Sequence, residues 1–362
     1  MLHDAEIVED SPKYPESNTQ SMMPVAAESR RGRGMGQRVS YGATAIALIL
    51  ALVLLDIHIA RWAATAGGAF AELLARGSLL PLTCVAMVVV GAVEFVRLLR
   101  ATGSRPNVAF ALSMVTAMML APWLSAAGWL GSGPAQVEGL YCQIVLLALA
   151  FVGGGVCLVA RGDPSGSLRD FGATVFTILY FGFLGSFAIQ LRCGRDVVAQ
   201  DGAWLLLIAI LVTKCSDIGA YFAGSALGRR KLAPKISPGK TVEGMLGGLA
   251  ASAGASVLFA SAGRIASTAG LKGPYGEMLR DMSRAFTLSD NNDLVSLIGW
   301  ALAFGLVLSA VGQLGDLVES CFKRDAGAKD SGKLIPRFGG ILDLIDSPLL
   351  ALPVAWILMT AW

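Results

Sequence analysis

The stretch GDLVESCFKRDAGAKDSGKLIPRFGGILDLID, residues 315–346, sets alternating acids and bases between two apolar segments. If the preceding helix continues past Gly315, then Asp316, Glu319, Ser320 and Lys323 fall at i, i+3, i+4 and i+7 and share one face. Asp343 and Asp346 stand three apart at the start of the last apolar segment, where carboxylates also favour a helix N-terminus on dipole grounds alone. Carboxylate oxygens suit hard cations, and magnesium takes one or two of them together with substrate phosphates. The pattern therefore points to Asp316, Asp343 and Asp346 around a metal, with Arg324 and the lysines holding phosphate. Gly339 and Gly340 let the backbone turn there or approach a neighbour closely.

A second constellation lies at 214–248, KCSDIGAYFAGSALGRRKLAPKISPGKTVEGMLGG. Lys214 and Asp217 are three apart inside an apolar run, so on a helix they share a face. Charges at that depth are costly, about 2.5–3.5 kcal/mol each on insertion scales. They are either a neutralising pair or the lining of a water-filled cavity. After Gly228 come five bases and no acid until Glu243. KISPGKT lacks the spacing of a Walker A loop. It still offers Ser237, Lys240 and Thr241 around a Pro-Gly turn, where backbone N–H groups and an ammonium can meet phosphate. The other reading is a basic cluster attracted to anionic lipid headgroups. Both hold if the substrate is itself an anionic lipid.

The elements that must position these residues follow from composition. Of 362 residues 54% are hydrophobic and 15% charged, against about 25% charged in a soluble domain. Apolar segments run at roughly 41–62, 79–99, 108–131, 141–160, 171–191, 203–228, 244–262, 294–315 and 341–362, each near the ~20 residues a spanning helix needs. The expected fold is all-α, a polytopic integral membrane protein of about nine transmembrane helices. Residues 1–37 read as a disordered polar and basic tail, 38–200 as N-terminal helices and 201–362 as a C-terminal catalytic half. Arg30, Arg31, Arg33 and Arg38 put the N-terminus in the cytoplasm by the positive-inside rule, and span counting puts both charged constellations there too. The pairs Gly224/Gly228 and Gly244/Gly248 have the small-xxx-small spacing of closely packed membrane helices. Six cysteines are scattered without a CxxC and the two histidines are His3 and His58, so zinc, disulfide and histidine acid–base chemistry are not expected.

At these residues the chain resembles the phosphatidate cytidylyltransferases (CDP-diacylglycerol synthases). That family's closing signature is matched at Ser320, Lys323, Arg324, Lys329, Asp330, Pro336, Gly339, Gly340, Asp343 and Asp346. Its upstream motif is matched at Asp217, Ala220, Tyr221, Gly224, Gly228, Ser237, Pro238, Lys240, Thr241, Glu243 and Gly244. The similarity is specific over roughly 214–348 and vaguer through VEFVRLLR at 93–100. Three positions depart from it: Phe338 stands in place of histidine, Arg337 of glycine and Leu344 of arginine.

The resemblance implies a reaction in which CTP and phosphatidic acid give CDP-diacylglycerol and pyrophosphate. It implies Mg2+ on Asp316, Asp343 and Asp346 and leaves open whether a second cation such as K+ assists, with Asp217 lining the cavity or holding that ion. Lys323, Arg324, Lys329, Asp330 and Asp343 are then the expected catalytic set. Asp217, Tyr221, Ser237, Lys240, Thr241, Glu243, Ser320 and Arg337 are the expected substrate-binding set, Arg337 substituting as a phosphate contact. The expected partners are CTP and bilayer phosphatidic acid, with a homodimer as an option and no nucleic acid. The expected location is a bacterial inner membrane, with the active site facing the cytoplasm. The alternatives are a CTP-dependent polyprenol or phytol-type lipid kinase, a catalytically silent lipid-binding homologue, and a secondary transporter. The last is disfavoured because both charged constellations lie in the C-terminal half and the first five segments are nearly charge-free.

Overall fold

Membrane-length helices dominate the computed structural model, which describes residues 28–130, 135–193, 199–271, 276, 279–280, 286, 294–332 and 339–360. The stretch up to Leu50 forms one unit and residues 51–362 another. The helices are α1 (Glu28–Ala66), α2 (Ala69–Ala75), α3 (Leu79–Ala101), α4 (Val108–Ala126), α5 (Ala135–Arg161), α6 (Ser167–Cys193), α7 (Ala199–Leu227), α8 (Val242–Thr268), α9 (Leu294–Asp325) and α10 (Leu342–Thr360). Among the described residues, nine helices contain stretches long and apolar enough to cross a membrane, all but the short α2. The chain is thus an integral membrane protein of the expected class and span number. Residues 1–27 of the expected tail lie outside the described residues, and α1 begins at Glu28, upstream of the apolar run.

Two features add to the all-α expectation. A two-stranded antiparallel hairpin, β1 (Lys231–Ala233) and β2 (Ser237–Thr241), joins α7 to α8. Pro238 and Gly239 therefore lie within a strand and not in a turn. The turn falls earlier, where the Ile236 N–H donates to the Ala233 carbonyl at 3.2 Å. Helix α6 also carries a π-helical stretch at Ile178–Phe183, in a core where the Phe95 ring lies 5.3–6.1 Å from those of Phe176, Tyr180, Phe181 and Phe322.

Helices α7 and α8 pack through their small residues. A Cβ on Gly244 would sit 2.9 Å from the Ala220 carbonyl oxygen, and one on Gly248 2.9 Å from that of Ser216. In lipid this close backbone packing replaces the hydrophobic drive that water supplies elsewhere. Helices α9 and α10 meet in the same way, since a Cβ on Gly315 would lie 2.6 Å from the Asp346 carbonyl oxygen.

Successive crossings alternate direction, so the ends of α3, α5, α7 and α9 share one membrane face with the starts of α4, α6, α8 and α10. The opposite face carries a buried ion pair. Asp56 and Arg192 side chains are both wholly buried, with Nη2 and Oδ2 2.7 Å apart. Asp56 Oδ1 also accepts the N–H groups of Ser78, Leu79 and Leu80 at 3.0, 2.8 and 3.1 Å, donors that the first turn of α3 leaves without helical partners. Gly77, at φ +88°, makes room for the guanidinium that a side chain would strike. Removing one member strands the other charge, so Arg192→Leu should cost about 3–5 kcal/mol, read as a lower thermal midpoint in detergent. A double Asp56→Leu, Arg192→Leu variant should lose less than the sum of the single changes. Additive losses would contradict the pairing.

Candidate functional site

Helix α9 is 32 residues long, roughly 48 Å at 1.5 Å per residue, against a hydrocarbon core of about 30 Å. Its last turns therefore carry Asp316, Glu319, Lys323 and Arg324 to the level of the headgroups. The predicted shared face is seen in the contacts: Lys323 Nζ lies 2.5 Å from Glu319 Oε2 one turn back and 2.6 Å from Asp343 Oδ1 on α10. Ser320 is buried on the same helix.

The segment entering α10 is organised by carboxylates. Asp343 Oδ2 accepts the Gly340 N–H at 2.7 Å, the Ser331 hydroxyl at 2.8 Å and the Ser331 N–H at 3.3 Å. An anion in the first turn also suits the helix dipole. Gly339 holds φ +93°, and a side chain there would overlap the Asp343 carboxylate, so this glycine is demanded twice over.

Three carboxylates converge among the described residues: oxygens of Asp316, Glu319 and Asp346 all lie within 4.8 Å of one another. Glu319 and Asp346 are buried. Asp316 is also paired with Lys240 Nζ at 2.7 Å. The close approach at Gly315 brings α9 and α10 near enough for this convergence. The expected ligand set therefore differs by one residue in space. Asp316 and Asp346 do meet, but the third carboxylate beside them is Glu319, because Asp343 is drawn away by Lys323, Ser331 and Gly340.

Next to this cluster is a cavity of about 360 Å³ lined by Asp217, Tyr221, Lys240, Thr241, Gln313 and Asp316, among others. The intramembrane pair is formed, Lys214 Nζ contacting Asp217 Oδ2 at 3.0 Å, and Asp217 also lines the cavity. Ser347 Oγ donates to its other oxygen at 3.5 Å. Beneath it, Gln313 Nε2 donates to the hydroxyls of Ser216 at 3.2 Å and Ser309 at 3.0 Å and to the Met245 carbonyl at 3.3 Å.

Other expected residues take supporting places. Thr241 caps α8, its hydroxyl accepting the Gly244 N–H at 3.1 Å. Glu243 accepts the N–H groups of Arg229 and Arg230 at 2.9 and 3.1 Å, which fixes the entry to the hairpin. Ser237 pairs with Ala233 across the strands. Arg324 Nε donates to the Ile236 carbonyl at 3.1 Å, tying the hairpin to α9. Lys329 and Asp330 are exposed beyond α9 and join none of these contacts. Arg337 and Phe338 lie outside the described residues. Leu344 is half-buried in α10.

Two residues were missed in the expected sets. Glu319 was placed on the right face without a role. Glu94 was seen only within VEFVRLLR, where it is the single acid of α3. It is almost wholly buried. Its Oε2 accepts the Leu342 N–H at 2.9 Å and the Ser331 hydroxyl at 3.4 Å. An acid isolated in an apolar span is itself a sign of function.

Comparison with known proteins bears on the family. The profile of the family described as "Cytidylyltransferase family" matches residues 56–362. A Staphylococcus aureus protein named phosphatidate cytidylyltransferase is 30% identical over 252 residues, 68% of this chain and 82% of its own length. One of the same name from Mycobacterium leprae is 36% identical over 200 residues, 55% of this chain and 53% of its own length. The protein named "Uncharacterized protein YnbB" of Escherichia coli is 37% identical over 196 residues, 54% of this chain and 56% of its own length. The match thus spans about half the length of two of these relatives and four fifths of the other.

Glu94 is the clasp between α3 and the 331–342 segment. Glu94→Ala leaves the Leu342 N–H without its acceptor and should cost about 1–3 kcal/mol. Hydrogen exchange should rise across 339–342 and stay unchanged in α7 and α8. Unaltered exchange at Leu342 would show that the clasp does not hold the segment.

Proposed function

The chain belongs to the cytidylyltransferase family, and we propose that it transfers the cytidylyl group of CTP to phosphatidic acid, giving CDP-diacylglycerol and pyrophosphate. The observation that carries this reading is the convergence of Asp316, Glu319 and Asp346 beside Lys240 and Lys323, at the end of membrane-spanning helices and next to a cavity. Two anions must meet for this reaction, one of them anchored in the bilayer. A site at the headgroup level that combines carboxylates able to hold a cation with two lysines suits that encounter. The relatives from Staphylococcus aureus and Mycobacterium leprae carry the name of this activity.

In the proposed reaction an oxygen of the phosphatidate phosphate attacks the α-phosphorus of CTP. The bond from that phosphorus to the bridging oxygen breaks, and pyrophosphate leaves with the electron pair. The nucleophile is already anionic, so no strong base is required, and catalysis is positioning plus charge neutralisation. Lys240 and Lys323 offset the charge of triphosphate and lipid phosphate. Asp343 and Glu319 hold the Lys323 ammonium between them, and Glu94 and Ser331 fix Asp343's surroundings. Arg324 acts through the hairpin it anchors, which carries Lys240.

The oxygens of Asp316, Glu319 and Asp346 fit magnesium, a hard cation that takes carboxylate and phosphate ligands. Bound there, it would offset triphosphate charge and stabilise the departing pyrophosphate. The site is proposed to face the cytoplasm, supported by the basic residues that flank it and by the positive-inside rule. The bacterial origin of the relatives supports an inner-membrane location.

The test is product analysis with purified protein in detergent, given phosphatidic acid, CTP and magnesium. Pyrophosphate and a CDP-lipid should appear together. Asp346→Asn and Lys323→Ala should each lower turnover by about 10²-fold or more, and chelation of divalent cations should stop it. Formation of CDP without pyrophosphate would replace this reading with a CTP-dependent lipid kinase.

A further inference from the structure

A second cleft, of about 380 Å³, opens between α4, α5 and α6, lined in part by Arg105, Asn107, Gly154, Cys157, Arg161 and Phe171. It lies at the same membrane face as the carboxylate site, because it uses the start of α4, the end of α5 and the start of α6. It shares no lining residue with the cavity beside Asp316.

Its rim is cationic. Three arginines, Arg105, Arg161 and Arg169, surround one aspartate. Asp170 is nearly wholly buried and committed internally: Oδ1 accepts the Arg105 N–H at 2.7 Å, and Oδ2 pairs with Arg161 Nη1 at 2.5 Å. Arg169 Nε stands 3.6 Å from Oδ1. The preceding acid along the chain, Asp163, caps its own turn through the Ser165 N–H at 2.9 Å. Arg105 is exposed and lines the cleft, and its side chain makes no hydrogen bond or ion pair among the described residues.

The α5 wall of the cleft is apolar, and that helix borders lipid on its other side. Gly154, Cys157 and Leu158 on α5 line it, while Val152, Val156 and Val159, exposed at 65%, 62% and 81%, lie on the opposite face of that helix. On a helix this hydrophobic, those valines face acyl chains. Gly154 lets the Phe171 ring pack against α5, since a Cβ there would lie 3.1 Å from that ring. Cationic rim above and apolar wall below match the two halves of a phospholipid, and basic pockets between membrane helices are a known way to hold anionic headgroups.

We propose that this cleft binds one anionic phospholipid, its phosphate at Arg105 and Arg161 and an acyl chain along Gly154–Leu158, as a site separate from the one that carries out transfer. The apolar wall favours a membrane lipid over free phosphate. The proposal does not depend on which reaction the carboxylate site performs.

The test is native mass spectrometry of the full chain in neutral detergent, with phosphatidylglycerol and phosphatidylcholine in equal amounts. The wild type should keep phosphatidylglycerol in preference. Arg105→Gln, an exposed change that leaves the fold alone, should weaken that retention by roughly fivefold, as expected for one arginine near a membrane phosphate. Cys157→Phe, which fills the cleft, should abolish it. Lys240→Ala, in the other cavity, should leave it intact. Undiminished retention in both cleft variants, or loss confined to Lys240→Ala, would overturn the proposal. Displacement by inorganic phosphate would overturn it as well, because the ligand would then be a free anion.

Discussion

Three carboxylates held within 4.8 Å of one another at the rim of a bilayer repel strongly unless cations sit among them. Much of the C-terminal architecture answers this constraint. Lys240 reaches Asp316 from the hairpin and Lys323 reaches Glu319 from the next turn. Glycine at 315 allows α9 and α10 to approach until Asp316, Glu319 and Asp346 meet. Glycine at 339 and the Glu94 clasp hold the 339–342 segment so that Asp343 engages Lys323 without joining the three. The remaining positive charge needed to relax the cluster is what a divalent cation and its substrate phosphates would share.

The bilayer explains why charge is distributed as it is. Away from its ends a spanning helix must satisfy polar groups internally, so the network of Gln313, Ser216 and Ser309 closes on itself beneath the cavity. On the far face, among the described residues, the buried pair Asp56 and Arg192 organises the start of α3. The near face collects the hairpin, the carboxylates and both clefts. The small residues of α7 and α8 stack those helices tightly and so place Lys240 opposite Asp316.

Helix number and membrane class were legible in the sequence because a spanning segment must be about 20 apolar residues long, and that length survives any packing detail. The face shared by Asp316, Glu319 and Lys323 was legible too, since helical periodicity alone sets it. The identity of the converging carboxylates was not. Asp343 lies three residues from Asp346 and so looks like its natural partner, but the left-handed turn at Gly339 gives it other contacts. Pro and Gly in SPGKT signal a turn locally, whereas the pairing of the hairpin is set by Lys231–Ala233 and Arg324. Glu94 lies 248 residues from the Leu342 N–H it accepts, a separation no local pattern reveals. The clasp also ties the N-terminal helices to a site that the sequence assigned to the C-terminal half.

The account turns on which carboxylates would hold the proposed cation, and manganese binding followed by electron paramagnetic resonance addresses that directly. Wild-type protein with CTP should hold a manganese ion that Glu319→Gln and Asp346→Asn release, while Asp343→Asn retains it. Retention in Glu319→Gln with loss in Asp343→Asn would contradict the account and return the metal to the ligand set that spacing alone suggests.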